Sequence, residues 1–121
     1  MGDDASEDRV IYKIVSGEDW MAAVAAGVYA GSPEDRRDGF IHFSTPAQAQ
    51  ATADKHFAGQ SGLVVVAVDA GRLGAALAWE TSRGGALFPH LYGPLDPRAA
   101  IWVAPLPLGP DGRHQMPKEM P

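Results

Sequence analysis

The stretch that decides the fold is Leu63-Val64-Val65-Val66-Ala67-Val68, an uninterrupted run of apolar residues in which valine dominates. β-Branched residues favour strands, and a short run without polar alternation predicts a central strand that is covered on both faces. Four shorter strands are predicted before and after it, because apolar and aromatic residues cluster there between glycine and proline breaks. They span residues 9–14, 40–43, 76–82 and 101–103.

A first helix is predicted directly after the first strand. Ser16 is a typical N-cap residue, and the acidic residues that follow it suit the positive end of a helix dipole. Gly27 supplies the C-terminal stop. Residues at helical spacing predict a buried face made of Trp20, Ala23 and Val24.

A second helix is predicted to begin at Thr45, which is followed by Pro46 at the first helical position and by Gln48 as the partner in a capping box. Gly59 marks the end of this helix. Its predicted buried face consists of Ala49, Ala53 and Phe57.

The remaining segments are predicted to be irregular. Residues 31–39 indicate a loop with Glu34 and Asp35 in a solvated turn, Gly84-Gly85 and Pro89 break the structure, and the chain is extended from Pro105 onward. About five strands and two helices that are segregated along the chain favour a single α+β domain over residues 9–116. Residues 1–8 and 117–121 are expected to be flexible.

Composition and charge restrict the function classes. The chain has 121 residues, of which 45% are hydrophobic, and this suits one folded core. Its formal net charge is −5, and no basic stripe is visible, so binding to duplex nucleic acid is disfavoured. No cysteine is present, which excludes disulfides and thiolate metal sites. No apolar run approaches the roughly 20 residues of a membrane span, and the acidic N-terminus is unlike a signal peptide, so we expect no membrane contact and a cytoplasmic location.

The first stretch with chemical potential is Asp38-Gly39-Phe40-Ile41-His42-Phe43-Ser44-Thr45. Strand alternation sends Ile41 and Phe43 to one face and places His42 beside Phe40 on the other. The hydroxyls of Ser44 and Thr45 then lie where the strand opens into a helix, whose free N–H groups suit a phosphate or a carboxylate. The alternative is that His42 is a satisfied core residue and that the hydroxyls only cap the helix.

The second stretch, residues 79–95, concentrates polar side chains among glycines that allow the backbone to approach a ligand closely. Its candidate groups are Glu80, Arg83, Gly84, His90 and Tyr92. The alternative is an irregular loop with a surface ion pair between Glu80 and Arg83 and a buried Tyr92 hydroxyl.

Motifs for metal and nucleophilic chemistry are absent from the sequence. The four histidines lack the spacing of a zinc site, and no carboxylate accompanies them in a metal motif, so no metal is predicted. His56 is expected to be exposed on the second helix, and His114 belongs to the proline- and glycine-rich tail. No nucleophile elbow, Walker loop or dinucleotide fingerprint is present.

At these two stretches the chain resembles the bacterial proteins grouped as domain of unknown function 952. The resemblance extends from about residue 11 to residue 116. It rests on the strings DGFIHFST and WETSRGGALFPHLYGPL, together with Ile11-Tyr12-Lys13-Ile14, Trp20 with Gly27 and Tyr29, and His56-Phe57. That family has no established activity.

The fold of the family is similar to that of ADP-ribosyltransferases, which hold NAD in the cleft of a split, strongly bent sheet. The resemblance therefore implies a bent or split mixed sheet and a nucleotide cleft, with His42 where an aromatic residue commonly stacks on nicotinamide. The chain departs from those enzymes because Ile11-Tyr12-Lys13-Ile14 contains no His or Arg, with Arg9 only preceding it, and because residues 90–94 contain no glutamate. RNA 2′-phosphotransferases share the fold without that glutamate, and Arg83, His42 and His90 match their phosphate-gripping residues in type.

The resemblance implies roles for both stretches. His42, His90 and Tyr92 are the expected catalytic residues, and NAD is the cofactor that the resemblance suggests. The expected ligand-binding residues are Ser44, Thr45, Glu80, Arg83 and Gly84. One alternative is a non-catalytic module that binds a small anionic metabolite in the same cleft. Another is a protein-partner role in which Trp20, Trp79 and Tyr29 anchor an interface.

Overall fold

Six strands and three α-helices make up the part of the chain that the computed structural model describes, which is residues 9–82 and 85–118. Three short 3₁₀ turns lie between them. The strands are β1 (Val10–Ser16), β2 (Ile41–His42), β3 (Leu63–Asp69), β4 (Leu77–Thr81), β5 (Leu87–Leu91) and β6 (Ala100–Leu106). The helices are α1 (Gly17–Ala26), α2 (Pro33–Asp38) and α3 (Pro46–His56).

The apolar run is the central strand of the first sheet, which has the order β1-β3-β6. Val65, Val66, Ala67 and Val68 are all fully buried, because side chains of other elements cover both faces of β3. The prediction of a doubly covered central strand is confirmed.

The second sheet has the order β2-β5-β4. Its central strand, β5, lies where a loop with a break at Pro89 was predicted, and this prediction is wrong. Pro89 has no N–H to donate, but its carbonyl still accepts a hydrogen bond from the Phe43 N–H at 3.0 Å. The proline therefore remains within the pairing, opposite Trp79 of β4.

An isolated backbone bridge joins the two sheets. The backbones of Tyr12 and Ser44 exchange hydrogen bonds of 2.8 and 2.9 Å, which join β1 to the segment that follows β2. All strand pairs within the described ranges are antiparallel, so the predicted mixed sheet is corrected to two three-stranded antiparallel sheets. The α+β class of the domain is confirmed.

Helices α1 and α3 begin where the capping residues predicted. The Asp19 N–H donates to Ser16 Oγ at 3.0 Å, and Gly27 ends α1 with φ +79°. The Thr45 N–H donates to Gln48 Oε1 at 3.0 Å at the start of α3. Val24 is 55% exposed, so its predicted place on the buried face of α1 is wrong.

Helix α2 occupies the predicted loop. Asp35 N–H donates to Ser32 Oγ at 3.1 Å, and Ser32 N–H donates back to Asp35 Oδ2 at 2.9 Å. With Pro33 at the first helical position, this is a complete capping box. The helix is six residues long and ends at Gly39, whose φ of +89° favours glycine.

The last strand is an edge strand rather than a core strand. Ile101 and Val103 are 52% and 41% exposed, and only Leu106 in β6 is buried. The strand also includes Pro105, where an extended tail was predicted, because an edge strand tolerates a residue without an N–H. Within residues 9–82 and 85–118 no helix is long and apolar enough to cross a membrane.

Candidate functional site

A row of side chains crosses the second sheet on one face. His42 of β2 is paired with His90 of β5, and His90 is paired with Ala78 of β4. Paired residues of an antiparallel sheet point to the same side, so the two histidines lie next to each other. Their ring centroids are 5.6 Å apart. Ile41 and Leu91, one position along each strand, point to the other side and are buried in the core.

Phe40 packs against this row. Its ring stacks on His90 at a centroid distance of 4.0 Å and an angle of 22°, and it lies 4.6 Å from the ring of His42. Tyr92 contacts the same phenyl ring at 5.2 Å and is 47% exposed. The predicted neighbourhood of Phe40 and His42 is present, and it also contains His90 and Tyr92.

Glu80 connects two of the expected catalytic residues. Its Oε1 lies 2.7 Å from His90 Nδ1 and accepts a hydrogen bond from the Tyr92 hydroxyl at 2.8 Å. These two hydrogen bonds hold the pKa of Glu80 below its usual range, and the carboxylate raises the pKa of Tyr92. A carboxylate can only accept, so Nδ1 of His90 carries the hydrogen. In the neutral ring the lone pair is then on Nε2.

Asp35 plays the same part for the other histidine. Its Oδ1 lies 2.6 Å from His42 Nδ1, and the same oxygen accepts the His42 backbone N–H at 3.2 Å. Lys13 of β1 donates to both carboxylate oxygens, at 2.8 and 3.1 Å. The side chains of Lys13 and Asp35 are only 6% and 2% exposed, so the prediction that Asp35 lies in a solvated turn is wrong.

The charge state of Asp35 follows from these contacts. Burial alone would raise the pKa of its carboxyl group, but the hydrogen bond from His42 and the adjacent Lys13 ammonium hold that pKa well below its usual range. Asp35 is therefore a carboxylate at neutral pH. It accepts hydrogen bonds from Ser32 at the N-cap of α2, from Lys13 of β1 and from His42 of β2.

His42 has a second acidic neighbour. Asp38 Oδ2, at the end of α2, lies 3.1 Å from Nε2 of His42. The Nδ1–H of the ring can donate to Asp35 in either charge state, whereas the contact between Nε2 and Asp38 is an ion pair only when the ring is protonated on both nitrogens. The Nε2 of His90 differs, because no side chain in the described part of the chain is hydrogen-bonded to it.

The expected ligand-binding residues divide into three groups. Glu80 belongs to the cluster. Ser44 and Thr45 are buried at the start of α3, where Ser44 Oγ lies 2.9 Å from Thr52 Oγ1, so the structure places their hydroxyls in the interior of the domain. Arg83 and Gly84 lie outside the described residues.

Sequence reasoning missed Lys13, Asp35 and Asp38. A lysine within the apolar strand β1 was one available signal, because lysine is almost never fully buried unless it is paired. The other signal was Ser32-Pro33 followed by Asp35, a capping pattern that predicts a helix start and thus an ordered Asp35. No local pattern connects either residue to His42.

The exposure of the other singled-out aromatic and histidine side chains tests what was predicted for them. Trp20 and Tyr29 are buried together in the core with ring centroids 6.0 Å apart, which corrects their assignment as interface anchors. His56 is exposed as predicted. His114 is buried and its Nε2 contacts the Gln60 carbonyl at 2.8 Å. Across the described ranges no cluster of three or more potential ligands is arranged to hold a metal ion.

Gly31 shapes the position of Asp35. It has φ +107°, and a Cβ at this position would lie 2.9 Å from the Asp35 Cβ. Gly39, at the other end of α2, also has a positive φ, but a Cβ there would meet open space.

This pair of glycines provides a matched test. We expect Gly39→Ala to lower the free energy of unfolding by about 1 kcal/mol through backbone strain alone. Gly31→Ala should cost about 1–3 kcal/mol more, because Asp35 must also shift. Urea unfolding of both variants measures the difference. Equal costs would mean that Asp35 is not held in a closely packed position.

The comparisons with known proteins agree on one family. The family described as "protein of unknown function (DUF952)" matches residues 14–103. A crystal structure of protein CC0527 from Caulobacter crescentus is 53% identical, with a TM-score of 0.85, over 88% of this chain and 93% of that one. The solution NMR structure of CC0527 is 52% identical, with a TM-score of 0.81, over 88% and 92% of the two chains. No match is found among curated proteins.

Proposed function

Because this chain belongs to the DUF952 family of proteins of unknown function, family membership supplies no reaction, and we propose from the site itself that the protein binds a small molecule and exchanges protons with it through His42 and His90. The observation that carries the proposal is the pairing of these histidines in register, each bonded through Nδ1 to a carboxylate. Histidine is the side chain best suited to proton exchange near neutral pH.

The two histidines have different partners, which supports different roles. Glu80 orients His90 so that the lone pair of its neutral ring is on Nε2, and His90 is therefore the proposed base. His42 lies between the carboxylates of Asp35 and Asp38, which together favour its doubly protonated form, and it is the proposed acid. The ring centroids are 5.6 Å apart, so one ligand can lie against both rings, and at Nε2 of His42 it would take the place of Asp38.

The proposed ligand contains a flat ring. Tyr92 and Phe40 are both accessible to solvent beside His90, and aromatic faces bind planar groups by stacking. A nucleotide of the NAD or ADP-ribose type, the ligand that the resemblance to ADP-ribosyltransferases implies, meets this requirement. Arg83 and Gly84 follow β4 in the sequence, three and four residues after Glu80, and are the residues proposed to take its phosphates. The proposed compartment is the cytoplasm.

The second candidate is a non-catalytic module that binds a small anionic metabolite. It is favoured by the fact that both ring nitrogens of His42 already contact carboxylate oxygens, Nδ1 that of Asp35 and Nε2 that of Asp38. A binding site needs no proton transfer to operate in this arrangement.

Thermal unfolding with a compound panel tests the proposal. We expect NAD, ADP-ribose or another nucleotide to stabilise the protein, by about 2.7 kcal/mol at a hundredfold excess over its dissociation constant. His90→Asn should remove most of this gain, because asparagine keeps a donor for Glu80 but lacks the Nε2 atom. His56→Ala is the control, since His56 is exposed on α3, and it should behave as the wild type.

Product analysis then separates the two candidates. Release of nicotinamide or phosphate by the wild type, and its loss in His90→Asn, is the result expected of an acid–base site. Stabilisation without any product would favour the binding module. If no nucleotide or sugar phosphate stabilises the protein, the nucleotide proposal is wrong.

A further inference from the structure

Lys13 lies in an unusual position for a lysine. It belongs to β1, its strand neighbours Tyr12 and Ile14 are buried, and its own side chain is 6% exposed. Within the described ranges, Asp35 is the one carboxylate with which its ammonium forms a salt bridge. Burying an ammonium group costs free energy unless the group is paired. The position of Lys13 beside the carboxylate that contacts His42 therefore requires an explanation.

The same carboxylate is shared by two cationic groups. Oδ1 of Asp35 contacts His42 Nδ1 at 2.6 Å, and both carboxylate oxygens accept from Lys13. Lys13 reaches Asp35 from β1, whereas His42 reaches it from β2. The Lys13 ammonium can therefore balance the buried charge of Asp35 when the His42 ring is neutral.

We propose that Lys13 is a positioning residue of this site, which holds Asp35 in place and keeps its charge balanced while His42 gains and loses a proton. This inference rests on the proposed acid–base role of His42. A group that acts as an acid or a base must be able to exist in both its protonated and its deprotonated form. Without Lys13, release of the proton from His42 would leave a buried carboxylate with no cation beside it.

The other charged groups around His42 do not replace Lys13. Asp38 of α2 lies against Nε2 and adds a second negative charge. On the β5 side, His90 is the neighbouring ring, and it is bonded to Glu80, which also holds Tyr92. From β1, Lys13 contributes the positive charge. Its ammonium contacts the Asp35 carboxylate, which in turn contacts His42.

The test is an NMR titration of the histidine ring nitrogens in the free protein. In Lys13→Met we expect the titration midpoint of His42 to rise by about 1 pH unit or more, because the imidazolium becomes the remaining cation beside Asp35. The midpoint of His56 should stay unchanged. Lys55→Met, which removes an exposed lysine from α3, is the matched control and should leave the His42 midpoint unchanged.

Two further measurements apply if Lys13→Met does not fold. In Lys13→Met/Asp35→Asn both charges are removed, and the His42 midpoint should lie at or below that of the wild type. In the wild type, the Lys13 ammonium nitrogen should remain charged throughout the range in which His42 titrates.

The proposal is overturned if the His42 midpoint is unchanged or falls in Lys13→Met, or if Lys13 loses its proton together with His42. A lysine that contributes to stability without electrostatic coupling to His42 would alter stability and leave that midpoint unchanged. These readouts need neither ligand nor turnover, so they remain decisive even if the nucleotide panel finds no ligand.

Discussion

Replacing Asp35 by alanine is expected to lower the free energy of unfolding by about 3–5 kcal/mol. The substitution leaves the ammonium of Lys13 buried without its partner, and an uncompensated buried charge is among the most destabilising changes that a single mutation can make. It also removes one half of the capping box with Ser32 and the acceptor of His42 Nδ1.

The measurement is urea unfolding followed by tryptophan fluorescence, since Trp20 is buried in the core. Glu34→Ala is the matched control, because it removes a neighbouring, exposed carboxylate from the same helix. It should change the free energy of unfolding by no more than about 0.5 kcal/mol. Similar losses in the two variants would show that the Lys13–Asp35 pair is not buried in solution.

A loss of stability in acid, by about 2–3 kcal/mol for this one group, is the second large effect that we expect. The pKa of Asp35 is well below its usual range in the folded protein, so the folded state prefers the ionised form more strongly than the unfolded chain does. This contribution is fully present above the ordinary aspartate pKa, near 4, and it is lost as the pH falls from there towards the lower folded value.

Unfolding free energies measured from about pH 6 down to about pH 2 test this prediction. In Asp35→Asn the part of the acid-dependent loss that belongs to Asp35 should be missing. Glu34→Gln should keep the steep decline of the wild type. Parallel curves for the wild type and Asp35→Asn would contradict the assigned direction of the pKa shift.

Several elements could be predicted because their causes are local. Ser16 and Thr45 begin helices through hydrogen bonds to residues three positions away, and Gly27 ends a helix through its own backbone conformation. Alternation along β2 placed His42 beside Phe40. These interactions act between near neighbours in the chain, so the pattern that encodes them is visible in the sequence.

Helix α2 was missed although its capping box is local, but the other missed features depend on distant partners. Strand β5 contains Pro89, and its identity as a central strand comes from pairing with β4 on one side and β2 on the other. Val24 and Ile101 have the apolar character of core residues, but nothing in the described part of the domain covers them fully. Local pattern cannot distinguish a covered apolar side chain from an exposed one.

The amino-acid sequence by itself determined the apolar central strand, both ends of α1, the start of α3 and the two stretches that carry the polar side chains, whereas α3 ends at His56 rather than near Gly59. Only the tertiary structure decided that His42 faces His90 and that Asp35 is buried between His42 and a lysine 22 positions earlier. The physical reason is that strand register and buried charge pairing are contacts between remote segments, whose free energy exists only once both segments have been brought together.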